Sequence, residues 1–301
     1  MTTTAIVENK LLRENSIKIV GKLVDAQIEQ KVNKSTGVEF VSGKITIVSD
    51  IKGESNEFVV ELYSNKLTQD KKLNKLYESY SKLPEMVGKK VQVTGEIREN
   101  RYYSTNLNQI VSSQKLSGKF VSGVAESAVD MATFTIGGFL VKTPVEKRNQ
   151  QDEIYRYDVV IGQSNYKGDG MSMITLHINP EQREIVSAVE GLYMVGDTIQ
   201  VDGALSFVTR TVTKEDTNTA FGAPVTKTFT NKQSNFYIES GSNVITDDRA
   251  YSQETVAALI NAYKANDVAI QEKEANKAPA APASFSANAA PAVSKRQASL
   301  I

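Results

Sequence analysis

The sequence predicts a mainly β protein made of two similar halves, and three observations lead to that prediction. Residues 87–103 read VGKKVQVTGEIRENRYY, where Val and Ile alternate with polar residues as they do in a half-buried strand. A second copy of this core, VGDTIQVDGAL, occupies residues 195–205. An amphipathic, helix-like segment precedes each copy, and strand-like segments precede each of those helices. The recurring order indicates tandem domains, since two repeats are too few for a solenoid.

In the first half, turn-rich segments separate strand-like runs from one helix-like run. The helix-like run, residues 69–83, spaces Leu76, Tyr77 and Tyr80 as one face of a helix requires, and it ends before Pro84. The strand-like runs cover residues 16–30, 39–48 and 57–63 before the helix, and residues 87–103 and 102–112 after it.

Three strands, a helix and two further strands are the element order of an OB-fold, a five-stranded, partly open Greek-key barrel. The helix between strands 3 and 4 closes the barrel bottom, so we expect Tyr77 and Tyr80 to pack in the core. The second half repeats the order, with strands at residues 133–142, 154–162, 171–178 and 195–205 and a helix at residues 180–193. The predicted fold class is therefore mainly β: two tandem OB-fold barrels, a C-terminal helix and a disordered tail.

The two halves differ most after their fourth strands. In the first half, Glu99 and Asn100 predict a short return, whereas residues 206–214 and 225–240 of the second half predict a long hairpin with its tip at residues 221–224. A hairpin of this kind could grip a polymer. Alternatively, its Thr- and Val-rich edges could pair with another copy of the chain, so self-association through the 206–240 hairpin is an open alternative.

Domain boundaries follow from these patterns and from a change in composition near the C-terminus. We expect OB-fold domain 1 at residues 14–116, OB-fold domain 2 at residues 131–245, a solvent-facing helix at residues 252–276 and a disordered Ala/Pro-rich tail at residues 277–301. The tail could dock on replication proteins, or its loss could be tolerated.

Composition narrows the functional classes. The chain has no Cys and one His, so Cys-based zinc sites, disulfides and the usual catalytic triads are excluded. No apolar run is long enough for a membrane span and no secretory signal is visible, so we expect a cytoplasmic protein that contacts no membrane. The formal net charge is zero, but residues 1–120 carry 19 Lys and Arg against 14 Asp and Glu, while residues 121–240 carry 10 against 15. The first half is thus the better candidate for binding an anionic polymer.

A resemblance to a known family rests on three features of the first half. Residues 34–37, Lys-Ser-Thr-Gly, precede a strand that contains Phe40, an inter-strand helix follows, and residues 87–103 fit V-G-x-x-V-x-V-x-G-x-I-x-x-N-R-Y-Y. The chain resembles single-stranded DNA-binding proteins of the bacterial and phage OB-fold type. The resemblance implies a binding protein that protects single strands during replication or recombination, and best fits a divergent phage-encoded version in the host cytoplasm.

Three departures from that family bear on the partners. This chain has two predicted barrels, it lacks Trp, and it ends in Ser299-Leu300-Ile301 rather than in an acidic tip with a terminal Phe. RNA remains an alternative ligand, because the same surface chemistry binds either polymer.

Sequence-tolerant binding of single strands needs aromatic faces for stacking and cations along the phosphates. We therefore predict nucleic-acid contacts at aromatic and basic residues on strands 2 and 3 and on the rim loops, although Phe40 and one of Tyr102 and Tyr103 could equally pack in the core. Tyr166 and Lys167 form the sharpest single candidate, because a loop Tyr has little core to enter. The predicted residues are Lys31, Lys34, Phe40, Lys44, Lys52, Arg98, Arg101, Tyr102, Tyr103, Lys147, Arg148, Tyr155, Arg156, Tyr157, Tyr166, Lys167 and Arg210.

Nothing in the sequence predicts catalysis, a metal or a cofactor. His177 lies in an apolar run, MITLHI, where a structural role is expected, and no segment fits the Walker pattern. Net neutrality, the acidic second half and the lack of Trp keep one alternative function open. This alternative is a structural or assembly protein, such as a virion component, that uses its barrels for contacts with other proteins.

Overall fold

The computed structural model describes residues 10–216 and 225–276, and within them the protein is mainly β with three α-helices. The predicted hairpin tip and the predicted tail lie outside the described residues. The helices are α1 Lys75–Ser81, α2 Arg183–Leu192 and α3 Gln253–Ala275. The strands are β1 Asn15–Val32, β2 Glu39–Ile51, β3 Glu54–Asn65, β4 Lys90–Ser104, β5 Gln109–Gly123, β6 Met131–Arg148, β7 Ile154–Ser164, β8 Met171–Ile178, β9 Thr198–Asp216 and β10 Val225–Gly241.

Strand pairing closes one five-stranded ring in each half. In the first half β1 pairs with β2 and β4, β2 with β3, β4 with β5, and β3 with β5 through a short parallel contact at Val60 and Leu116. In the second half β6 pairs with β7 and β9, β7 with β8, β9 with β10, and β8 with β10 at His177 and Tyr237. The helix α1 falls between β3 and β4, and α2 falls between β8 and β9.

The strand registers of the two rings agree residue by residue where the first strand meets the fourth. Ile17 lies opposite Gly95 in β1 and β4, and Phe134 lies opposite Gly203 in β6 and β9. A Cβ atom on either glycine would run into a backbone carbonyl oxygen, that of Ser117 or of Tyr237. Each ring therefore requires glycine at this place, because the neighbouring backbone approaches too closely for a side chain.

The rings join through their first strands. Residues 15–20 of β1 pair antiparallel with residues 131–136 of β6, and Ile17 lies directly opposite Phe134. One continuous core cluster contains buried side chains from both rings, together with Tyr77 and Tyr80 of α1. The two halves are thus packed as one body.

The hairpin of β4 and β5 is hydrogen-bonded to β8, and the hairpin of β9 and β10 is hydrogen-bonded to β3, so each contacts the third strand of the other half. Glu99 and Gln114, on β4 and β5, accept hydrogen bonds from the backbone nitrogens of Met173 (2.8 Å) and Thr175 (2.7 Å) on β8. In return, the backbone nitrogen of Phe207 on β9 donates to the Asn56 side chain on β3 at 2.8 Å. These bonds satisfy backbone donors at strand edges that the rings leave unpaired.

Two sequence expectations differ from this structure. The fifth strand, predicted at residues 102–112, begins only at Gln109, because β4 continues to Ser104 and the chain reverses at residues 105–108. Asn108 has a positive φ of 51°, which Asn tolerates better than most residues. The run Thr-Asn-Leu-Asn at residues 105–108 is therefore typical of a turn. The first half therefore has a long hairpin too, and β5 runs beyond the predicted domain end at residue 116.

The helix α3 was expected to face solvent, but one of its faces is packed against both halves. Ser252 caps its N-terminus, and Val256 and Leu259 are buried beside Leu12 and Phe139. The sequence did not show this buried face, because the face continues beyond Leu259 with the polar residues Tyr263 and Asp267. Both of these side chains contact Arg101 of β4.

Candidate nucleic-acid interface

The outer surface of β2 and β3 is set by strict alternation along both strands. Residues Val41, Ile45 and Ile47 of β2 point into the core, as do Phe58, Val60 and Leu62 of β3. The intervening residues face outward, because successive side chains of a strand lie on opposite faces. The outward set on these two strands contains Phe40, Lys44, Glu57, Val59, Glu61 and Tyr63.

Phe40 and Tyr63 form an aromatic pair on this surface. Their ring centroids lie 5.4 Å apart with 34° between the ring planes, and Tyr63 is 57% exposed. The Tyr63 hydroxyl donates to the Asn65 side chain at 2.8 Å, which holds the ring in place. Exposed aromatic side chains with fixed orientation are the platform on which bases stack.

Tyr63 was missed as a site residue at the sequence level. The run EFVVELYSN alternates Phe58, Val60 and Leu62 with Glu57, Val59 and Glu61, so its last aromatic falls on the polar side. This alternation could have identified Tyr63 as an outward residue, but only once the buried side of β3 was known.

A groove runs beside the aromatic pair across β2, β3, β4 and β5. We call it the first groove; it has a volume of about 440 Å³ and its lining includes Lys44, Glu61, Tyr63, Arg98 and Lys115. The Glu61 carboxylate lies 2.9 Å from the Lys115 ammonium and 3.7 Å from that of Lys44. Three cations and the two carboxylates of Glu61 and Glu99 therefore line a surface with an exposed aromatic ring at its side.

Arg98 lies at the groove's β4 wall and is itself paired. Its guanidinium donates to the Glu96 carboxylate at 2.6 Å, and the Lys119 ammonium lies 2.5 Å from the same carboxylate. Burial alone would raise the pKa of Glu96, but the hydrogen bonds from Lys119 and Arg98 outweigh it and lower that pKa below its ordinary value. Glu96 thus stays ionised and anchors Arg98 beside the groove.

The remaining predicted residues of the first half are spread around its rim. Lys31 lies opposite Phe40 in the strand register and pairs with Glu29 at 2.5 Å. Lys34 is exposed in the turn after β1, and Lys52, in the β2–β3 turn, is 85% exposed and 3.9 Å from Glu239. Tyr102 is exposed and shares its side of β4 with Arg98.

Arg101 and Tyr103 lie on the opposite side of β4, beneath α3. The Arg101 side chain is 9% exposed; it pairs with Asp267 and its guanidinium lies 3.5 Å from the centroid of the Tyr263 ring. Tyr103 donates to Asn108. In this arrangement Arg101 holds the C-terminal helix onto β4 and does not face the first groove.

The corresponding surface of the second half is closed. The strand registers place Asp158 opposite His177, where the first half places Lys44 opposite Glu61. Tyr237 pairs with His177, where Ser117 pairs with Glu61. Asp158 and His177 are both buried.

His177 is held neutral in this closed surface. Burial lowers its pKa to about 4, and the nearby Arg156 guanidinium adds to that lowering against an opposing effect of Asp158. Its Nδ1 accepts a hydrogen bond from the backbone nitrogen of Phe236 at 3.1 Å. Asp158 lies 2.8 Å from Arg156 and 3.6 Å from Lys147, so these two predicted cations neutralise a buried carboxylate.

The other predicted residues of the second half do not gather into one site. Arg148 pairs with Glu146 at 2.7 Å, Tyr157 packs against the core, and Tyr155 is exposed with the Arg156 guanidinium 5.4 Å from its ring. Tyr166 is 89% exposed in the β7–β8 loop, where Arg13 lies 5.5 Å from its ring and Lys167 is exposed. Arg210 is exposed on β9.

Neither a metal-binding cluster nor a membrane-spanning helix occurs among residues 10–216 and 225–276. No group of three or more His, Asp and Glu side chains in this part of the chain could hold a metal ion. None of the helices described is both long enough and apolar enough to cross a membrane.

Fold and site together define a mainly β protein with an aromatic and cationic groove on its first half. The sequence matches the model of the family described as YorF over residues 13–276, and the chain belongs to that family. No curated protein sequence matches it.

Among solved structures, the chain is similar to single-stranded DNA-binding proteins from two organisms. The wild-type protein from Thermus aquaticus is 14% identical, the match covers 81% of this chain and 99% of that chain, and the TM-score is 0.47. A small protein from Streptomyces coelicolor is 15% identical over 39% of this chain and 100% of that chain, with a TM-score of 0.27.

Proposed function

We propose that this protein binds single-stranded nucleic acid, without strong sequence preference, in the first groove. The observation that carries the proposal is the pair of exposed Tyr63 and half-buried Phe40 beside a groove lined by Lys44, Arg98 and Lys115. We further propose that each five-stranded ring is an OB barrel. The ring closure, the helix between the third and fourth strands and the shared glycine register support that assignment.

The chemistry favours single strands over duplex. Stacking of a base on an aromatic side chain contributes about 1–3 kcal/mol, and every base has a π-face, so the contact tolerates any sequence. In a duplex the base faces are already stacked on each other and cannot reach Phe40 or Tyr63. The lysines then contact phosphates, which makes the affinity fall with salt.

We place the stacking contacts in the first half of the chain. On the corresponding surface of the second half, Asp158 and His177 are buried, and Arg156 and Lys147 pair with the Asp158 carboxylate. Binding needs no chemical step, so the proposed function is non-enzymatic. Protection of single strands during replication or recombination would follow from it, with DNA and RNA as candidate ligands.

Fluorescence anisotropy with labelled oligonucleotides tests the proposed function. An oligonucleotide of about 30 nucleotides is long enough for both barrels, since one OB barrel covers about 4–16. We expect salt-sensitive binding of single strands that a matched duplex competes for poorly. Equal affinity for duplex, or no binding at low salt, would refute the proposal, and DNA and RNA competitors identify the preferred polymer.

One observation favours a second function, contacts with other proteins in an assembly. Leu192, the last residue of α2, is 63% exposed, and Met194 and Val195, just after the buried Tyr193, are 78% and 47% exposed. Adjacent exposed apolar side chains are typical of protein-binding surfaces. Light scattering on the pure protein separates the two functions, because an assembly protein is expected to associate without nucleic acid.

A further inference from the structure

A second groove, built by both halves of the chain, continues from the first. One wall belongs to β3 and β5 and includes Glu57, Val59 and Lys115; the other belongs to β9 and β10 and includes Thr209 and Lys232. Its volume is about 270 Å³. We call residues 206–211 of β9 and 230–235 of β10 the arm.

The two grooves form one channel. Lys44, Glu61 and Lys115 line both of them, so the same side chains stand where one groove passes into the other. A small anion would occupy one point of such a channel. The cations Arg98, Lys115 and Lys232 lie at successive points along the channel. This arrangement fits a polymer that carries regularly spaced negative charges.

The base of the arm is fixed in place before any ligand binds. The Phe207 ring lies 5.2 Å from that of Phe58 and 5.4 Å from that of Phe236, between the cores of the two halves. The hydrogen bond from the Phe207 backbone to Asn56 holds the same place. A preformed wall costs the ligand no ordering of the protein on binding.

Lys232 spans the second groove. Its ammonium lies 2.8 Å from the Glu57 carboxylate on the opposite wall, and the two side chains are 66% and 42% exposed. An ion pair this exposed is weak and exchanges readily. A phosphate that enters the groove can replace the carboxylate as the partner of Lys232.

We infer that a strand bound in the first groove runs on into the second, where Lys232 of the arm contacts one of its phosphates. The inference rests on the proposed function and adds to it that both halves of the chain form the binding site. Lys232 was not among the residues predicted from the sequence.

The salt dependence of binding tests this contact. For the variant Lys232→Gln with a long single strand, we expect the slope of log K against log salt to become shallower by about 0.7, the value of one phosphate contact on a single strand. We also expect about two- to fivefold weaker binding at low salt. The matched control is Lys10→Gln, whose lysine has a similar ion pair with Asp248 (3.0 Å, 61% exposed) and lines neither groove.

Removal of Lys232 also leaves Glu57 without its partner, and two further variants separate that effect. If Lys232 contacts phosphate, Lys232→Gln combined with Glu57→Gln stays weaker than Glu57→Gln alone and keeps the shallower slope. If the double variant binds as Glu57→Gln does, the contact is refuted. An unchanged slope in Lys232→Gln also overturns the inference while leaving the proposed function intact, whereas a wild-type protein that binds no single strands refutes both.

Discussion

Glu61 competes with the proposed ligand for the cations of the first groove. Its carboxylate lies 2.9 Å from the ammonium of Lys115 and 3.7 Å from that of Lys44. Nucleic acid must displace this carboxylate to use either lysine. The variant Glu61→Gln keeps the shape of the side chain and removes its charge, so we expect tighter binding of single strands.

The expected gain in affinity follows from the two ion pairs that Glu61 makes. The three side chains are 38–59% exposed, and pairs of this exposure contribute about 0.2–1 kcal/mol each. Two pairs give about 0.4–2 kcal/mol, which corresponds to about two- to thirtyfold tighter binding. The slope of log K against log salt should steepen as well, because more lysine charge becomes available to phosphates.

Anisotropy titrations of wild type and variant over a series of salt concentrations measure both effects. Glu146→Gln is the matched control, because Glu146 pairs with Arg148 at 2.7 Å, is similarly exposed and lies in the second half. It removes the same charge from the chain but should change affinity little. If Glu146→Gln tightens binding as much as Glu61→Gln, the gain comes from net charge and the competition within the groove is refuted.

Three further predictions concern base stacking, the pH dependence of stability and the glycines where the first strand of each ring meets the fourth. Truncation of Phe40 or Tyr63 to Ala should weaken single-strand binding by about 1–3 kcal/mol in the same titration, as loss of one stacked base requires. Between pH 7.5 and pH 5 the free energy of unfolding should fall by about 2 kcal/mol through His177, because its pKa is about 4 when folded and near 6.5 when unfolded, so the unfolded state takes up the proton first. Gly95→Ala and Gly203→Ala should each lower the free energy of unfolding by about 1–3 kcal/mol in urea denaturation, because the added methyl group meets a backbone carbonyl oxygen.

Each of these has a control within the chain. Phe120→Ala removes an exposed aromatic ring that lines neither groove, and a loss of affinity as large as that of Tyr63→Ala would contradict stacking in the groove. His177→Gln should flatten the pH dependence between pH 7.5 and pH 5, and an unchanged slope would assign it to another group. Gly37→Ala removes a glycine with a positive φ of 68° but open space around it, so it strains the backbone without any contact.

Strand alternation predicted the inner side of each strand well, because burial imposes a period of two on the sequence. The alternation of Val91, Val93 and Ile97 places these residues in the core. The sequence left the side of Phe40 open, and the structure shows it half-buried next to the buried Val41. The sequence could not show which outward surface stays open. His177 and Tyr237 close the second half through contacts between β8 and β10, which are far apart in the chain.

The site residues show the same limit. Lys44 and Arg98, two of the predicted residues, line the first groove. Arg101 is instead covered by α3, whose Tyr263 and Asp267 lie more than 160 residues away in the chain. The local sequence identifies a basic residue, but the side chains that pair with it are determined by the tertiary packing. Lys232 was missed for this reason, since only the arm's contact with β3 brings it to the channel.

Photocrosslinking tests most directly the claim that the first groove holds a single strand. A single-stranded oligonucleotide carrying 5-bromodeoxyuridine is irradiated with the protein, and the crosslinked peptides are identified by mass spectrometry. We expect crosslinks at Phe40 and Tyr63, with loss of both in a Phe40→Ala, Tyr63→Ala variant. Crosslinks confined to Tyr155 or Tyr166 of the second half would contradict it.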